Sequence, residues 1–129
     1  MGKVVHGLLV LAFSLVGVAP AAAQSPTLVY TVPGAVSGGG LATVITCTAL
    51  VPQSVTVQAI DGSGSAGGNA TLSFAAYQTQ VFGTLPAGGL SVDVSLSAYL
   101  AKGFIQILST SKSLICSAII SDTLTILQA

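Results

Sequence analysis

The stretch Leu90–Ser97 reads LSVDVSLS and alternates apolar and polar residues without interruption. Its even-numbered positions carry Leu or Val, and its odd-numbered positions carry Ser or Asp. Because successive side chains of a β-strand point to opposite faces, this pattern predicts a strand with one buried face. Residues 24–129 contain no comparable stretch with the 3.6-residue period of a surface helix. We therefore expect an all-β fold.

Further strands are predicted on both sides of this stretch. Leu41–Ala49, Ser54–Ala59 and Asn69–Phe74 alternate in the same way. Leu114–Ser121 is apolar on both faces, which is typical of a strand in the middle of a sheet. Ala98–Gly103 fits either a helical turn or a crossover loop. The weaker strand candidates are Thr27–Val32, Thr79–Phe82, Phe104–Ser109 and Thr123–Leu127.

Segments rich in Gly, Pro and Ser separate these candidates. Gly supplies positive φ and Pro fixes φ, so such segments favour turns. About eight short strands in one chain predict a single antiparallel β-sandwich, with a small barrel as the alternative. The sandwich would be one domain over residues 24–129. The predicted turns are Val32–Gly34, Ser37–Gly40, Val51–Pro52, Asp61–Gly68 and Leu85–Gly89.

Residues 1–23 have the organisation of a secretory signal peptide. Lys3 precedes the apolar run Gly7–Val18, and the small residues Ala19–Ala23 follow it. This order predicts cleavage between Ala23 and Gln24. A membrane anchor needs a longer apolar run of roughly 20 residues. Gln24 in place of Cys argues against a lipoprotein, and the N-terminal myristoylation pattern is not met. We expect the mature domain, residues 24–129, in the periplasm or outside the cell.

The mature domain is almost without charge. It contains no Arg, Glu, Trp or His, and its charged residues are Asp61, Asp93, Asp122, Lys102 and Lys112. Without a basic patch, nucleic-acid binding has no electrostatic basis. The mature chain has no polybasic stretch and no long apolar run, so neither association with a membrane nor insertion into one is expected. Without His, Ser-His-Asp and Cys-His sites and zinc sites with two His ligands are excluded. We expect no metal and no cofactor.

Cys47 and Cys116 are the two cysteines of the chain. In an exported domain they are expected to form a disulfide, which stabilises by roughly 4 kcal/mol in the chain-entropy model. Two buried free thiols are the alternative. The expected geometry joins facing strands of the two sheets, as in immunoglobulin-like domains. The core Trp of such domains is missing and Leu114 stands where their conserved Tyr would be, so the likeness is loose.

Four runs of the chain resemble a group of small secreted bacterial proteins of uncharacterised function. The resemblance implies secretion, an immunoglobulin- or fibronectin-like β-sandwich, and pairing of Cys47 with Cys116. It implies no activity, and no functional residue is carried over from the group. The runs are TVITCTAL (Thr43–Leu50), SVTVQAIDGSG (Ser54–Gly64), ATLSFAAYQTQVFGT (Ala70–Thr84) and STSKSLICSAIISD (Ser109–Asp122).

Two patterns in the mature domain resemble catalytic or metal-binding motifs. Ser109–Lys112 matches the S-x-x-K nucleophile motif, which requires the Ser at a helix start so that Lys reaches its hydroxyl. Here it is predicted to join two strands, and its partner motifs are absent, so we interpret it as a turn. Asp61–Ser65 weakly resembles a calcium loop but offers one carboxylate, and we interpret it as a hairpin tip. Asp93 and Asp122 are interpreted as surface residues, and no catalytic residue is predicted.

Tyr30, Tyr77 and Tyr99 are the candidate aromatic platforms for a sugar, although Tyr more often closes the edge of a core. Asn69 begins a glycosylation sequon, which matters in a host that glycosylates.

The small number of charged residues on the mature domain favours association between protein molecules, and Thr123–Leu127 is a candidate edge strand for pairing with another chain. Internal pairing of that strand is the alternative.

The sequence thus favours a non-enzymatic secreted module with a cell-surface or matrix interaction role. The partner is not identified by the sequence; a surface protein, a polysaccharide or the chain itself are the candidates. The alternative function is a self-associating subunit of an extracellular fibre or surface layer, assembled through edge-strand pairing.

Overall fold

The computed structural model describes residues 24–86 and 91–123, which contain strands and no helix. The predicted signal peptide, its cleavage site and residues 124–127 of the last strand candidate lie outside the described residues. The eight strands are β1 (Thr27–Ser37), β2 (Leu41–Ala49), β3 (Gln53–Asp61), β4 (Ala66–Phe74), β5 (Thr79–Gly83), β6 (Val94–Ser95), β7 (Leu100–Ser109) and β8 (Leu114–Asp122).

The strands form two four-stranded sheets that pack face to face. The first sheet has the order β1-β7-β3-β4, and the second has the order β6-β5-β2-β8. All neighbours are antiparallel except β5 and β6, which are parallel. The prediction of an all-β sandwich with about eight strands is confirmed. Its core includes Ile45, Cys47, Val55, Val57, Phe74, Phe82, Leu100, Ile105, Ile107 and Leu114.

Alternation located the best-defined strands correctly. Leu41–Ala49 coincides with β2, whereas Ser54–Ala59 and Asn69–Phe74 lie inside β3 and β4. In β3 every second residue is buried, because Val55, Val57 and Ala59 face the second sheet and the intervening polar residues face outward.

The turn predicted at Val32–Gly34 is wrong, because these residues lie inside β1. Pro33 pairs with Phe104 of β7, and the register shifts between Pro33 and Ala35. Gly34 has a φ of 72°, which suits a bulge. A strand tolerates Pro and a bulge at the edge of a sheet, and β1 is such an edge.

Leu90–Ser97, the clearest pattern in the sequence, forms much less strand than predicted. Its hydrogen-bonded ladder is limited to Val94–Ser95, and Leu90 lies outside the described residues. The alternation of burial is present nonetheless, because Leu96 and Ala98 are buried between exposed neighbours. The segment crosses from the second sheet to β7 in the first, so it leaves its ladder after two residues.

Two other predictions along the chain need adjustment. β7 begins at Leu100, so most of the ambiguous stretch Ala98–Gly103 is strand. β4 begins at Ala66, and the turn after β3 is therefore shorter than the predicted Asp61–Gly68.

The disulfide bond joins Cys47 of β2 to Cys116 of β8. These strands are neighbours in the second sheet, and the two cysteines lie directly opposite each other in the ladder. The predicted bridge between facing sheets is therefore wrong. In immunoglobulin domains the bridge crosses the core between the sheets. The likeness to that fold is thus limited here to the two-sheet arrangement.

Candidate functional site

β8 lies at an edge of the second sheet, although its two apolar faces predicted a central position. It pairs with β2 over its full length without a register shift. The Cα atoms of Cys47 and Cys116 are 4.1 Å apart, which identifies them as a close, non-hydrogen-bonded pair. Since such pairs alternate with hydrogen-bonded ones, Cys116, Ala118 and Ile120 direct their N–H and C=O groups away from β2.

Bonds at both ends of this ladder agree with the same alternation. Leu50 donates its amide to the carbonyl of Ser113 at 2.9 Å, and Thr123 donates its amide to the carbonyl of Gly40 at 2.8 Å. Odd-numbered residues therefore bond toward β2 from one end of β8 to the other, and even-numbered residues bond outward.

The outward groups of Leu114 already have partners. Its amide donates to the carbonyl of Lys112 at 2.9 Å, and its carbonyl accepts the Tyr30 hydroxyl at 2.7 Å. Within residues 24–86 and 91–123, no strand pairs with the outer edge of β8. The outward groups of Cys116, Ala118 and Ile120 thus form an open hydrogen-bonding edge in the described part of the chain.

A groove of about 310 Å³ lies between this edge and β1. Leu114 and Cys116 face the core, so Ala118 and Ile120 have the same orientation by strand alternation. The first sheet does not cover them, and 56 % of Ile120 is exposed. The groove is lined by Val32, Pro33, Gly34, Ala35, Thr43, Ala118, Ile119 and Ile120. We call the outer edge of β8 together with this groove the β8 side.

Thr43 fixes β1 beside the groove. Its hydroxyl donates to the carbonyl of Val36 at 2.9 Å and lies 3.0 Å from the amide nitrogen of Val36, which donates to it. Thr43 belongs to β2 and Val36 to β1, so this side chain joins the two sheets where no ladder does.

The outer face of β8 is also apolar. Ile115 and Ile119 are 59 % and 54 % exposed, with Ser117 between them. β8 contains neither Pro nor Gly, and no charged residue precedes Asp122 at its end. A long, regular, apolar edge strand without these interruptions is a template for pairing with another chain.

The remaining edge strands are interrupted or short. β1 carries Pro33 and three register shifts, and β6 has two residues. β4 carries Gly67, Gly68 and a register shift opposite β3, and its exposed residues include Asn69 of the sequon, Thr71 and Ser73. Bulges, Pro and short length are the usual means of blocking edge pairing, so β8 differs from the other edges.

The S-x-x-K residues lie where β7 leads into β8, and their interpretation as a turn between strands is confirmed. Ser109 ends β7 and is buried, with its hydroxyl oxygen 2.5 Å from Gln53 Oε1 and 3.1 Å from the carbonyl oxygen of Ser54. Gln53 Nε2 donates to the carbonyls of Ser113, at 2.7 Å, and Val51. This buried network joins the β7–β8 connection to the start of β3.

Asp61 organises the β3–β4 turn. Its Oδ1 accepts the Ser63 hydroxyl at 2.6 Å and the amides of Ser63 and Ser65 at 2.9 and 3.0 Å. The Ser63 hydroxyl, followed by the amide of Ser65, lowers the pKa of Asp61. The carboxylate is therefore charged at neutral pH, and its contribution to the turn is lost only as the pH falls through this lowered pKa.

The other predicted polar residues do not converge on one site. Asp93 Oδ2 accepts the Val81 amide at 2.7 Å beside β5, and Asp122 ends β8. No group of three or more potential metal ligands occurs among the described residues. Tyr77 and Tyr99 are each 78 % exposed but lie at opposite ends of the β3–β4 hairpin, so they do not form a single platform.

The β8 side was missed by the sequence analysis, which placed the candidate edge at Thr123–Leu127. The available signal was the absence of Pro, Gly and charge from residues 114–121, but the apolar residues on both faces of this stretch predicted a central strand instead. Comparisons with protein-family models, curated proteins and solved structures gave no match. No helix in the described part of the chain is long and apolar enough to cross a membrane.

Proposed function

We propose that residues 24–129 form a secreted, non-enzymatic interaction module that binds its partner through the β8 side. The observation that carries this proposal is the regular edge at Cys116, Ala118 and Ile120, flanked by exposed isoleucines. An extended segment of a partner can add to such an edge as a further strand. Main-chain hydrogen bonds would then supply affinity, and the groove beside β1 would receive side chains.

Export is supported by the signal-peptide pattern of residues 1–23 and by the Cys47–Cys116 disulfide. Disulfides persist in oxidising compartments and are rare in the cytosol. We therefore place the mature domain outside the cytoplasm, in a cell-surface or matrix role.

A binding role is also supported by how the polar side chains are used. The Ser109 hydroxyl is buried and bonded to the side chain of Gln53 and the backbone of Ser54. The Asp61 carboxylate is bonded within its own turn, and the mature sequence supplies no His as a general base. These groups stabilise the structure, whereas Ile115, Ile119 and Ile120 are more than half exposed and belong to neither hydrophobic core cluster of the described residues.

Site-specific photocrosslinking in cells that express the full chain tests this function. A photoreactive phenylalanine analogue at Ser117 lies on the exposed face of β8, and the same analogue at exposed Ser73 of β4 is the matched control. We expect a cross-linked species from position 117 and little from position 73. Equal labelling at both positions, or none at position 117, would contradict binding through the β8 side.

A further inference from the structure

We propose that the partner bound at the β8 side is a second copy of this chain, paired antiparallel along β8 with a two-fold axis at Ala118. This inference rests on the proposed function and names its partner. A two-fold interface uses the same patch on both copies, so every element of the patch must complement itself.

The outward hydrogen-bonding groups of β8 are self-complementary in one register. When Ala118 lies opposite Ala118 of the second copy, Cys116 lies opposite Ile120 of the second copy. These residues direct their N–H and C=O groups outward, so each opposed pair can exchange two hydrogen bonds. If the second copy were shifted by two residues toward the start of β8, Ile120 would instead lie opposite Leu114. The outward N–H and C=O groups of Leu114 are already bonded to Lys112 and Tyr30.

The charges at the two ends of β8 favour the antiparallel direction. Exposed Lys112 precedes the strand and exposed Asp122 ends it. Antiparallel pairing brings Lys112 of each copy near Asp122 of the other, whereas parallel pairing brings like charges together. A shift of register in the other direction would move Asp122 away from Lys112. Exposed ion pairs contribute little to affinity, so these charges select the direction of pairing more than they strengthen it.

The exposed isoleucines would also become covered. On the outer face, Ile119 would lie opposite Ser117 of the second copy and diagonal to its Ile119. On the core-facing side, Ile120 would lie beside Cys116 of the second copy. Directly opposite side chains are about 5 Å apart and diagonal ones about 7–8 Å, so the two Ile119 side chains are within reach of each other, and Ile120 is within reach of Cys116 of the second copy.

The interface would be small. One edge strand on each side buries less than the roughly 1,600 Å² of a standard protein interface. We therefore expect a reversible dimer that depends on protein concentration, with the fold of each copy unchanged.

Sedimentation velocity on the purified, oxidised mature domain tests the proposal over roughly 1 μM to 1 mM, the range that covers weak association. We expect conversion from monomer to dimer within this range. Ser117→Lys places two cations next to the axis and should weaken dimerisation about tenfold or more. Ser73→Lys makes the same substitution on the β4 edge and should leave dimerisation unchanged. A monomer throughout, or equal effects of the two substitutions, would overturn the proposal.

Charge reversal and cross-linking test the direction and the register. Lys112→Asp and Asp122→Lys should each weaken the dimer about two- to fivefold, and the double variant should restore it. Ala118→Cys should form a covalent dimer on oxidation, whereas Ser73→Cys should not. Failure of both rescue and cross-linking in a dimer that forms would refute this arrangement.

Two outcomes separate this proposal from the broader function. If residues 24–123 dimerise and residues 24–129 do not, the C-terminal segment covers the edge and the second-copy proposal fails. If position 117 cross-links in cells to a different protein and the purified domain is monomeric, binding through the β8 side stands and self-pairing is wrong.

Discussion

Gly67 and Gly68 are adjacent in β4 but have different surroundings. A Cβ atom on Gly68 would lie 2.1 Å from the carbonyl oxygen of Leu96, whereas one on Gly67 would meet nothing closer than 3.5 Å. The backbone at Leu96 is held by a 2.7 Å bond from its amide to the carbonyl of Gly83, so it cannot yield cheaply. We expect Gly68→Ala to lower the free energy of unfolding by about 1–3 kcal/mol. Gly67→Ala should change it by less than about 1 kcal/mol in either direction.

Urea unfolding of the two variants, monitored by far-UV circular dichroism, measures this difference. Similar midpoints for Gly67→Ala and Gly68→Ala would show that the close approach of Leu96 to β4 is not a constraint.

Single residues also show what local sequence can predict. The Asp61 turn was predictable because its partners, Ser63 and Ser65, are near neighbours in the chain. Burial of Ser109 was not, because its partner Gln53 is 56 positions away and the topology brings the two together. Polar residues close together in the sequence therefore predicted the β3–β4 turn. The buried network at the β7–β8 connection depends on strands that are distant in the sequence.

At the scale of elements, the segment between β6 and β7 is held outside a regular ladder. The amides of Leu96 and Ala98 donate to the carbonyls of Gly83 and Thr84 at 2.7 and 2.9 Å. The amide of Ser97 donates to the exposed hydroxyl of Ser95 at 3.2 Å. We expect Leu96 and Ala98 to exchange their amide hydrogens at least about tenfold more slowly than Ser97, because protected amides exchange through opening. Hydrogen exchange by NMR checks this, and uniform fast exchange would contradict a docked segment.

Alternation in the sequence reports which face of a segment is buried but not which strand lies beside it. Residues 91–97 alternate in burial as predicted, yet most of this stretch lies outside a ladder. In β8, apolar residues on both faces suggested two covering layers, but Ile115 and Ile119 are exposed. Position within a sheet depends on strand order, which neither periodicity nor composition specifies. The candidate site was missed for this reason.

At the scale of the whole molecule, the two-sheet fold followed from many short strands and frequent turns, whereas the position of the disulfide did not. Two cysteines in strands are compatible with a bridge between sheets or within one. The order β6-β5-β2-β8 decides between them, because it makes β2 and β8 neighbours. The bridge then encloses β3 to β7, with a sequence separation of 69.

This enclosure makes the stability of the domain depend on the compartment in which it folds. A bridge over so long a loop contributes roughly 4 kcal/mol in the chain-entropy model, against a total of about 5–15 kcal/mol for a typical domain. We expect residues 24–129 made in a reducing cytoplasm to be about 2–4 kcal/mol less stable than the same residues with the disulfide formed. Denaturant unfolding with thiol quantification measures the difference. The Cys47→Ala/Cys116→Ala variant is the control, because both routes should give it the same stability. If reduced and oxidised wild-type protein unfolded at the same denaturant concentration, the bridge would contribute nothing, and an oxidising compartment would not be needed for the stability of the fold.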